Sequence, residues 1–450
     1  MRIGVTPQLD RSGGGVYQYS VGMLEALRDS GRSDTYVLFH PTGTEVPGWV
    51  TDSDAWTAME LRLPRSHLGA LKHTASLAVN RATGGRSGRL VDLWHIKRAK
   101  PANARGSAAT TPALADSAWA SWFKGFDLDL MILPACDPLA FELSTPFIVS
   151  VHDLQHRLQP EFPEVSASGE WELREYAHRG CVLNALMVLV DSEVSKEDVL
   201  ECYGADGVGP DAIRVLPLQP AISGVEVSEA QRQRVREAYS LSKPYFFYPA
   251  QFWPHKNHLR IAQALAELHG QGLEVQLALA GSQTGELREK TFSEVMETAA
   301  KLGIGEHVRY LGYVSDDDMR PLYSAAEALV MPTFFGPSNI PVLEAWATSC
   351  PVITSDIRGI REQMGDAGVL VDPRSVDSIA AGMRRILTEP GLADAMRQRG
   401  RDRLSSFTPQ DFTRRLGEIL DEAESILARG DPSQSASSGL TREGIPDGII

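Results

Sequence analysis

No window of the 450-residue chain comes near the ~18 uninterrupted apolar residues that a membrane-spanning helix needs, so nothing in it is expected to cross a bilayer. The opening residues 1–6 form too short an apolar run for a signal peptide, and the expected compartment is the cytoplasm. Cysteine is scarce: four residues, Cys136, Cys181, Cys202 and Cys350, stand far apart with no C-x-x-C spacing. That argues against a disulfide framework or a cysteine zinc site and for reduced thiols. Positive charge is short as well. There are 44 Lys and Arg against 58 Asp and Glu, a formal net charge of −14, which argues against a nucleic-acid partner because such proteins carry a basic footprint. Core material, by contrast, is ample. With 43% hydrophobic and 23% charged residues the chain can build sizeable cores, and two large domains or three small ones fit its length.

Periodicity then divides the chain. Residues 2–6 read as a buried strand, followed by the glycine-rich stretch 10–15. A helix should come next, because Tyr17, Val21, Leu24 and Leu27 recur at three- and four-residue spacing before Gly31. Short apolar runs at 130–133, 147–151 and 186–190 alternate with helical patterns, as a mostly parallel sheet requires. The same grammar restarts near Tyr245, with strands expected at 245–248, 275–280, 308–311, 328–331, 352–354 and 369–371. Helices are expected at 259–268, 316–326 and 376–387, with Ser315 placed to cap the second of these and early acids suited to its dipole. Two such series separated by the polar stretch 224–243 give two α/β domains joined by a linker. The tail 431–450 is rich in Ser, Gly and Asp, has no apolar period, and is expected to be disordered.

Four loops carry candidate chemistry. From Met331 to Thr354 an apolar strand ends at Pro332, a loop with Gly336, Ser338 and Asn339 follows, and a helix opens near Ile340 and Pro341. Proline suits a first helical turn, and free backbone N–H groups at a helix N-terminus bind anions. Glu344, one turn in, is placed to accept hydrogen bonds from ribose hydroxyls; an ordinary strand–loop–helix with a capping acid is the competing reading. In the run from Phe247 to His258, Lys256 offers a point charge suited to phosphate, whereas Gln251 offers only neutral hydrogen bonds. Taken alone, Lys256 reads better as a solvated loop lysine. His152 and Asp153 follow the strand 147–151, at the carboxyl end where parallel sheets bind ligands; a loop cap would also explain them, and His156 is a weaker candidate. Gly13, Gly14 and Gly15 allow a ligand close to the backbone, although a plain turn needs glycines too. Asp127 and Asp129 have D-x-D metal spacing but read as the polar entry to a strand, and Asp316 to Asp318 read as helix capping. The glycine cluster lacks the G-x-G-x-x-G spacing of a dinucleotide fingerprint.

The run Pro341-Val-Leu-Glu-Ala-x-Ala-x-x-x-Pro-Val resembles the donor-site signature of the retaining, two-domain glycosyltransferases of family 4 (group 1). That resemblance implies a GT-B fold: two Rossmann-like parallel-sheet domains facing a central cleft. It divides the chain into an acceptor domain at 1–223, a linker at 224–243 and a nucleotide-sugar domain at 244–405. A helix at 406–430 is expected to cross back to the first domain. It implies a GDP- or UDP-linked sugar as donor, transfer of a hexose of mannose or glucose type with retention, and neither metal nor other cofactor. By the same resemblance Lys256, helped by Gln251, holds the donor diphosphate, His152 approaches the sugar, and Asp153 stands beside it. Gly14, Gly15, Gly281, Val314, Gly336, Ser338, Asn339 and Ile340 line the donor, and Glu344 binds its ribose. Two positions depart from the pattern. Gly336 stands where relatives carry a first glutamate, and Gln251 where they carry an arginine. A non-hydrolysing sugar-nucleotide epimerase and a non-catalytic sugar-nucleotide-binding homologue therefore remain as alternatives.

One segment fits none of this. Between Arg62 and Arg105 ten Lys and Arg face a single acid, Asp92, in an otherwise acidic chain. Apolar residues such as Leu90, Leu93 and Trp94 are interspersed, as in segments that rest on anionic surfaces. The expectation is an anionic or lipid-linked acceptor with peripheral membrane contact through 62–105, set against a solvated basic insertion.

Overall fold

The computed structural model describes residues 1–61, 122–142, 145–220 and 226–430. The basic segment 62–105 and the tail 431–450, with the expectations attached to them, lie outside the described residues.

Strands that are buried on both faces must be apolar throughout, and Leu130–Leu133 and Phe147–Ser150 are buried at every position. The first sheet contains β1 (Arg2–Val5), β2 (Thr35–His40), β3 (Trp56–Glu60), β4 (Leu130–Leu133), β5 (Phe147–Ser150), β6 (Met187–Val190) and β7 (Ile213–Val215). Its seven strands run parallel in the order β3-β2-β1-β4-β5-β6-β7. The second contains β8 (Tyr245–Pro249), β9 (Gln276–Ala280), β10 (Val308–Tyr310), β11 (Ala328–Met331), β12 (Val352–Ser355) and β13 (Val369–Val371). Its six strands are parallel too, in the order β10-β9-β8-β11-β12-β13. The longer helices are α1 (Gly15–Asp29), α2 (Glu170–Asn184), α3 (Glu193–Tyr203), α4 (Glu229–Ala238), α5 (His258–Gly270), α6 (Glu286–Lys301) and α7 (Asp316–Ala325). They continue with α8 (Ile340–Ala347), α9 (Arg358–Met364), α10 (Val376–Thr388), α11 (Leu392–Ser405) and α12 (Pro409–Arg429).

Both sheets change winding direction once, between β1 and β4 in the first and between β8 and β11 in the second. Such a switch leaves a crevice at the carboxyl ends of the two central strands, because the connections leave in opposite directions. The loops after β1, β8 and β11 are those singled out from the sequence, and His152 follows the adjacent β5.

The strands expected from apolar runs are present within a residue or so of their boundaries. The stretch 224–243 differs: it holds α4, which belongs to the second domain rather than to a linker. Ser228 and Gln231 form a capping box at its start, Val235 is fully buried, and Arg236 donates to the Ala325 carbonyl at 2.8 Å. With Val235 as its single buried side chain, α4 has no apolar stripe to read.

The last helix, α12, returns to the first domain. Phe412, Leu416, Ile419, Leu420 and Ala423 recur at helical spacing and are buried in one cluster with Ile3, Met23, Leu24 and Leu27. Charge reinforces the crossing: Arg32 bonds to Asp421 and, at 2.9 Å, to Glu424, while Arg214 Nε donates to Glu422 at 2.8 Å. Leu416→Ala should therefore cost about 2–5 kcal/mol in urea denaturation, as for other fully buried leucines. A loss well under ~1 kcal/mol would show that α12 is not part of the first domain's core.

Candidate active site

A cleft of about 1100 Å³ separates the two sheets' carboxyl ends. Gly13, Gly14, Gly15, His152 and Asp153 line it from the first domain; Gln251, Lys256, Gly336, Ser338, Asn339, Ile340 and Glu344 line it from the second. Two expected residues are not among those lining it. Val314 is buried in the second domain's core. Gly281 meets a structural demand instead: at φ +131°, an added Cβ would stand 2.5 Å from the Ala250 carbonyl oxygen.

Lys256 sits on a short turn after β8 whose shape is set by its neighbour. Asn257, at φ +63°, donates through Nδ2 to the carbonyls of Pro332 and Pro373, both at 2.8 Å. Asparagine tolerates this left-handed conformation better than most residues, and the bonds tie the turn to the loop after β11. The Lys256 amine has no bonded partner among the described residues. Burial pushes it down to about 8, against the pull of the Asp153 and Glu164 charges. Both acids are engaged elsewhere. Asp153 accepts from Arg174 at 2.5 Å and from the Gln155 N–H at 3.0 Å. Burial opposes its ionisation, but Arg174 holds its carboxyl well below the usual range. Glu164 accepts at the same oxygen from the His255 N–H at 3.0 Å and from His255 Nδ1 at 2.6 Å, across the cleft.

His152 is half-buried, and its Nε2 donates to the Pro134 carbonyl at 2.7 Å. That bond sets the tautomer and leaves Nδ1 as acceptor in the neutral ring. The ring packs edge-on to Tyr19 at 4.7 Å. His156, in contrast, is wholly buried against Glu175 and does not line the cleft.

On the opposite wall Gly336 has φ +134°, and a Cβ there would come within 2.8 Å of Asn339 Nδ2. At that φ any L side chain would be strained, and Asn339 would have to shift to admit one, which gives a conformational reason for that departure from the family pattern. The Asn339 N–H is not free as expected: it donates to Gln363 at 3.0 Å, and Gln363 returns a bond to the Asn339 carbonyl at 2.9 Å. No side chain caps α8 itself. Glu344 is buried and accepts from Tyr323 at 2.8 Å and from Gln18 at 3.2 Å. Burial raises its pKa, and those two donors offset part of the rise.

Several cleft residues were not read from the sequence. Asp191, directly after β6, is bonded by Ser195 and, across the cleft, by Ser338; it occupies the strand-end position that singled out His152 after β5. Burial raises its pKa against those hydroxyl bonds. Gln18, Glu164, His255 and Arg288 follow no local pattern, because each matters through a partner distant in the chain. Asp129, one of the D-x-D pair, accepts from the Arg2 N–H at 2.7 Å as a strand-entry residue would. Among the described residues no group of three or more His, Cys, Asp or Glu could hold a metal ion, and no helix is long and apolar enough to cross a membrane.

The two parallel-sheet domains and the cleft between them have the GT-B architecture. Residues 229–403 match the family model for glycosyl transferases group 1, and the second domain is a group 1 glycosyltransferase domain. O-antigen chain mannosyltransferase B of Escherichia coli is 28% identical over 232 residues, 51% of this chain and 59% of that protein. Glycogen synthase of Mycobacterium tuberculosis is 32% identical over 156 residues, 34% of this chain and 37% of that protein. The chain thus spans about three fifths or less of these curated relatives. Among solved structures, sucrose-phosphate synthase of Thermosynechococcus elongatus superimposes with a TM-score of 0.66 at 17% identity, covering 94% of this chain and 99% of that one. Anabaena HepE in complex with UDP-glucose gives a TM-score of 0.66 at 15% identity over 94% and 100%. At these identities the likeness is one of fold.

The position of Lys256 between two charged acids is directly testable. Asp153→Asn removes a charge that supports the ammonium and leaves Arg174 less compensated, so the Lys256 pKa should fall below about 8. The pH dependence of amine modification at this lysine reports it; an unchanged or higher value would mean that Asp153 does not act on Lys256.

Proposed function

We propose that the protein transfers a hexosyl group from a GDP- or UDP-linked sugar to an acceptor, with retention at the anomeric carbon and without a metal ion, as a member of family 4. The observation that carries this reading is the half-buried Lys256 ammonium, with no bonded partner among the described residues, in a cleft also lined by His152 and Glu344. Such a cation attracts the donor diphosphate and stabilises the charge that develops as it leaves, worth about 1.5–3 kcal/mol for a charge-assisted hydrogen bond.

In this reading Glu344 keeps lone pairs for the ribose hydroxyls, since a carboxylate has roughly four acceptor sites and Tyr323 and Gln18 take two. The bond from the anomeric carbon to the β-phosphate oxygen breaks and its electron pair goes to that oxygen. The acceptor hydroxyl attacks from the same face and gives its proton to the leaving phosphate. His152 borders the sugar and orients it, its ring fixed by Pro134 and Tyr19. The mannosyltransferase and glycogen synthase relatives support a hexose, and the HepE complex supports a nucleotide-sugar donor. The acceptor is proposed to be anionic or lipid-linked, on the basic composition of 62–105, with the enzyme working in the cytoplasm or at the inner face of its membrane.

Incubation with UDP- and GDP-hexoses and candidate acceptors should release the free nucleoside diphosphate and form a glycoside. Lys256→Ala should lower turnover at saturating donor by about 100-fold, the equivalent of ~2.7 kcal/mol. Near-normal turnover in that variant, or an isomerised donor as product, would contradict the reading.

A further inference from the structure

We propose that Arg288 supplies a second positive charge to the donor diphosphate, and that Gln251 and Trp253 are positioning residues that hold it there. The inference rests on the reading of the cleft as a nucleotide-sugar site. Arg288 stands in the first turn of α6 and lines the cleft. One guanidinium nitrogen donates to Gln251 Oε1 at 2.7 Å, and Trp253 Nε1 donates to the same oxygen at 3.0 Å. The guanidinium also lies over the Trp253 ring, 4.7 Å from its centroid. Three side chains thus fix one another through a single amide oxygen and a cation–π contact.

The arginine held this way lacks an anion. No carboxylate pairs with it among the described residues, and its Nε is buried without a hydrogen-bond partner. Burial lowers its pKa, and no neighbouring acid offsets the effect. A partly desolvated guanidinium with donors to spare is complementary to an anion that presents several oxygens. Lys256 lines the same cleft, and a diphosphate has the charge and the oxygens for both cations. Gln251 then takes on a definite purpose. Its oxygen accepts, which an arginine at that position could not do, so the amide acts as a bracket for a cation carried on a different element. It follows that Gln251→Arg should not strengthen diphosphate binding, since it sets two guanidinium groups side by side.

The test titrates the whole protein with UDP and GDP, and with UMP and GMP, by calorimetry, with melting curves to confirm folding. Arg288→Gln should weaken whichever diphosphate binds by about 30-fold, or ~2 kcal/mol at 1.4 kcal/mol per tenfold, and the monophosphate by much less. Arg288→Lys should retain part of the affinity. Gln251→Ala should weaken binding by a smaller factor, and adding it to Arg288→Gln should cost nothing further, because it acts through Arg288. If Arg288→Gln binds the diphosphate as the wild type does while Lys256→Gln does not, the Arg288 assignment is wrong and the donor-site reading stands. If the wild type binds neither UDP nor GDP, that reading fails and the assignment with it.

Discussion

A lysine ammonium drawn out of bulk water needs negative charge, and the cleft supplies it from a distance without a direct bond. Asp153 and Glu164 pull on Lys256, yet each carboxylate is held by another cation or donor, Asp153 by Arg174 and Glu164 by His255. The rest of the cleft follows from this constraint. Their bonds to other partners keep the acids charged and fixed, so they support the ammonium without occupying its donors. The pairing capacity that remains faces the open volume between the domains. Were either acid to swing onto the amine, the site would be neutralised by its own walls.

The two domains are joined by bonds that reach across the cleft from functional loops. Gln18 on α1 reaches Glu344 on α8, Glu164 receives both donors of His255, and Ser338 bonds Asp191. At the rim, Glu362 accepts from the backbone N–H groups of Glu193 and Val194 at the start of α3, where a carboxylate also suits the helix dipole. Arg358 bonds Asp198 nearby. The crossing helix α12 fixes the opposite side by burying an apolar stripe in the first domain's core. These contacts make the distance between the two switch points, and so the shape of the site, a property of the whole chain.

Much of the fold was legible because parallel sheets buried on both faces leave continuous apolar runs such as Leu130 to Leu133 and Ala328 to Met331. Most of what escaped was short or only partly buried, although β2, buried at five of its six positions, was not read either. The edge strand β7 has three residues, β3 is buried only at Trp56, and α4 buries only Val235. Within the cleft, His152, Lys256 and Glu344 were singled out from strand-end and helix-start positions together with the family resemblance, and all three line it. Arg288 was not singled out, because its relation to Gln251 spans 37 residues and no local spacing encodes it. Gly281, expected through the family resemblance to line the donor, is not among the residues lining the cleft, and its glycine meets a close backbone approach to Ala250.

The central claim is that one nucleotide-sugar donor contacts both domains at once. Backbone hydrogen exchange measured with and without UDP- and GDP-hexoses tests it most directly, since a ligand bridging the cleft slows opening on both walls. The account predicts protection together at residues 14–19, 251–257 and 336–344. Protection confined to one domain, or absent with both donors, would contradict it.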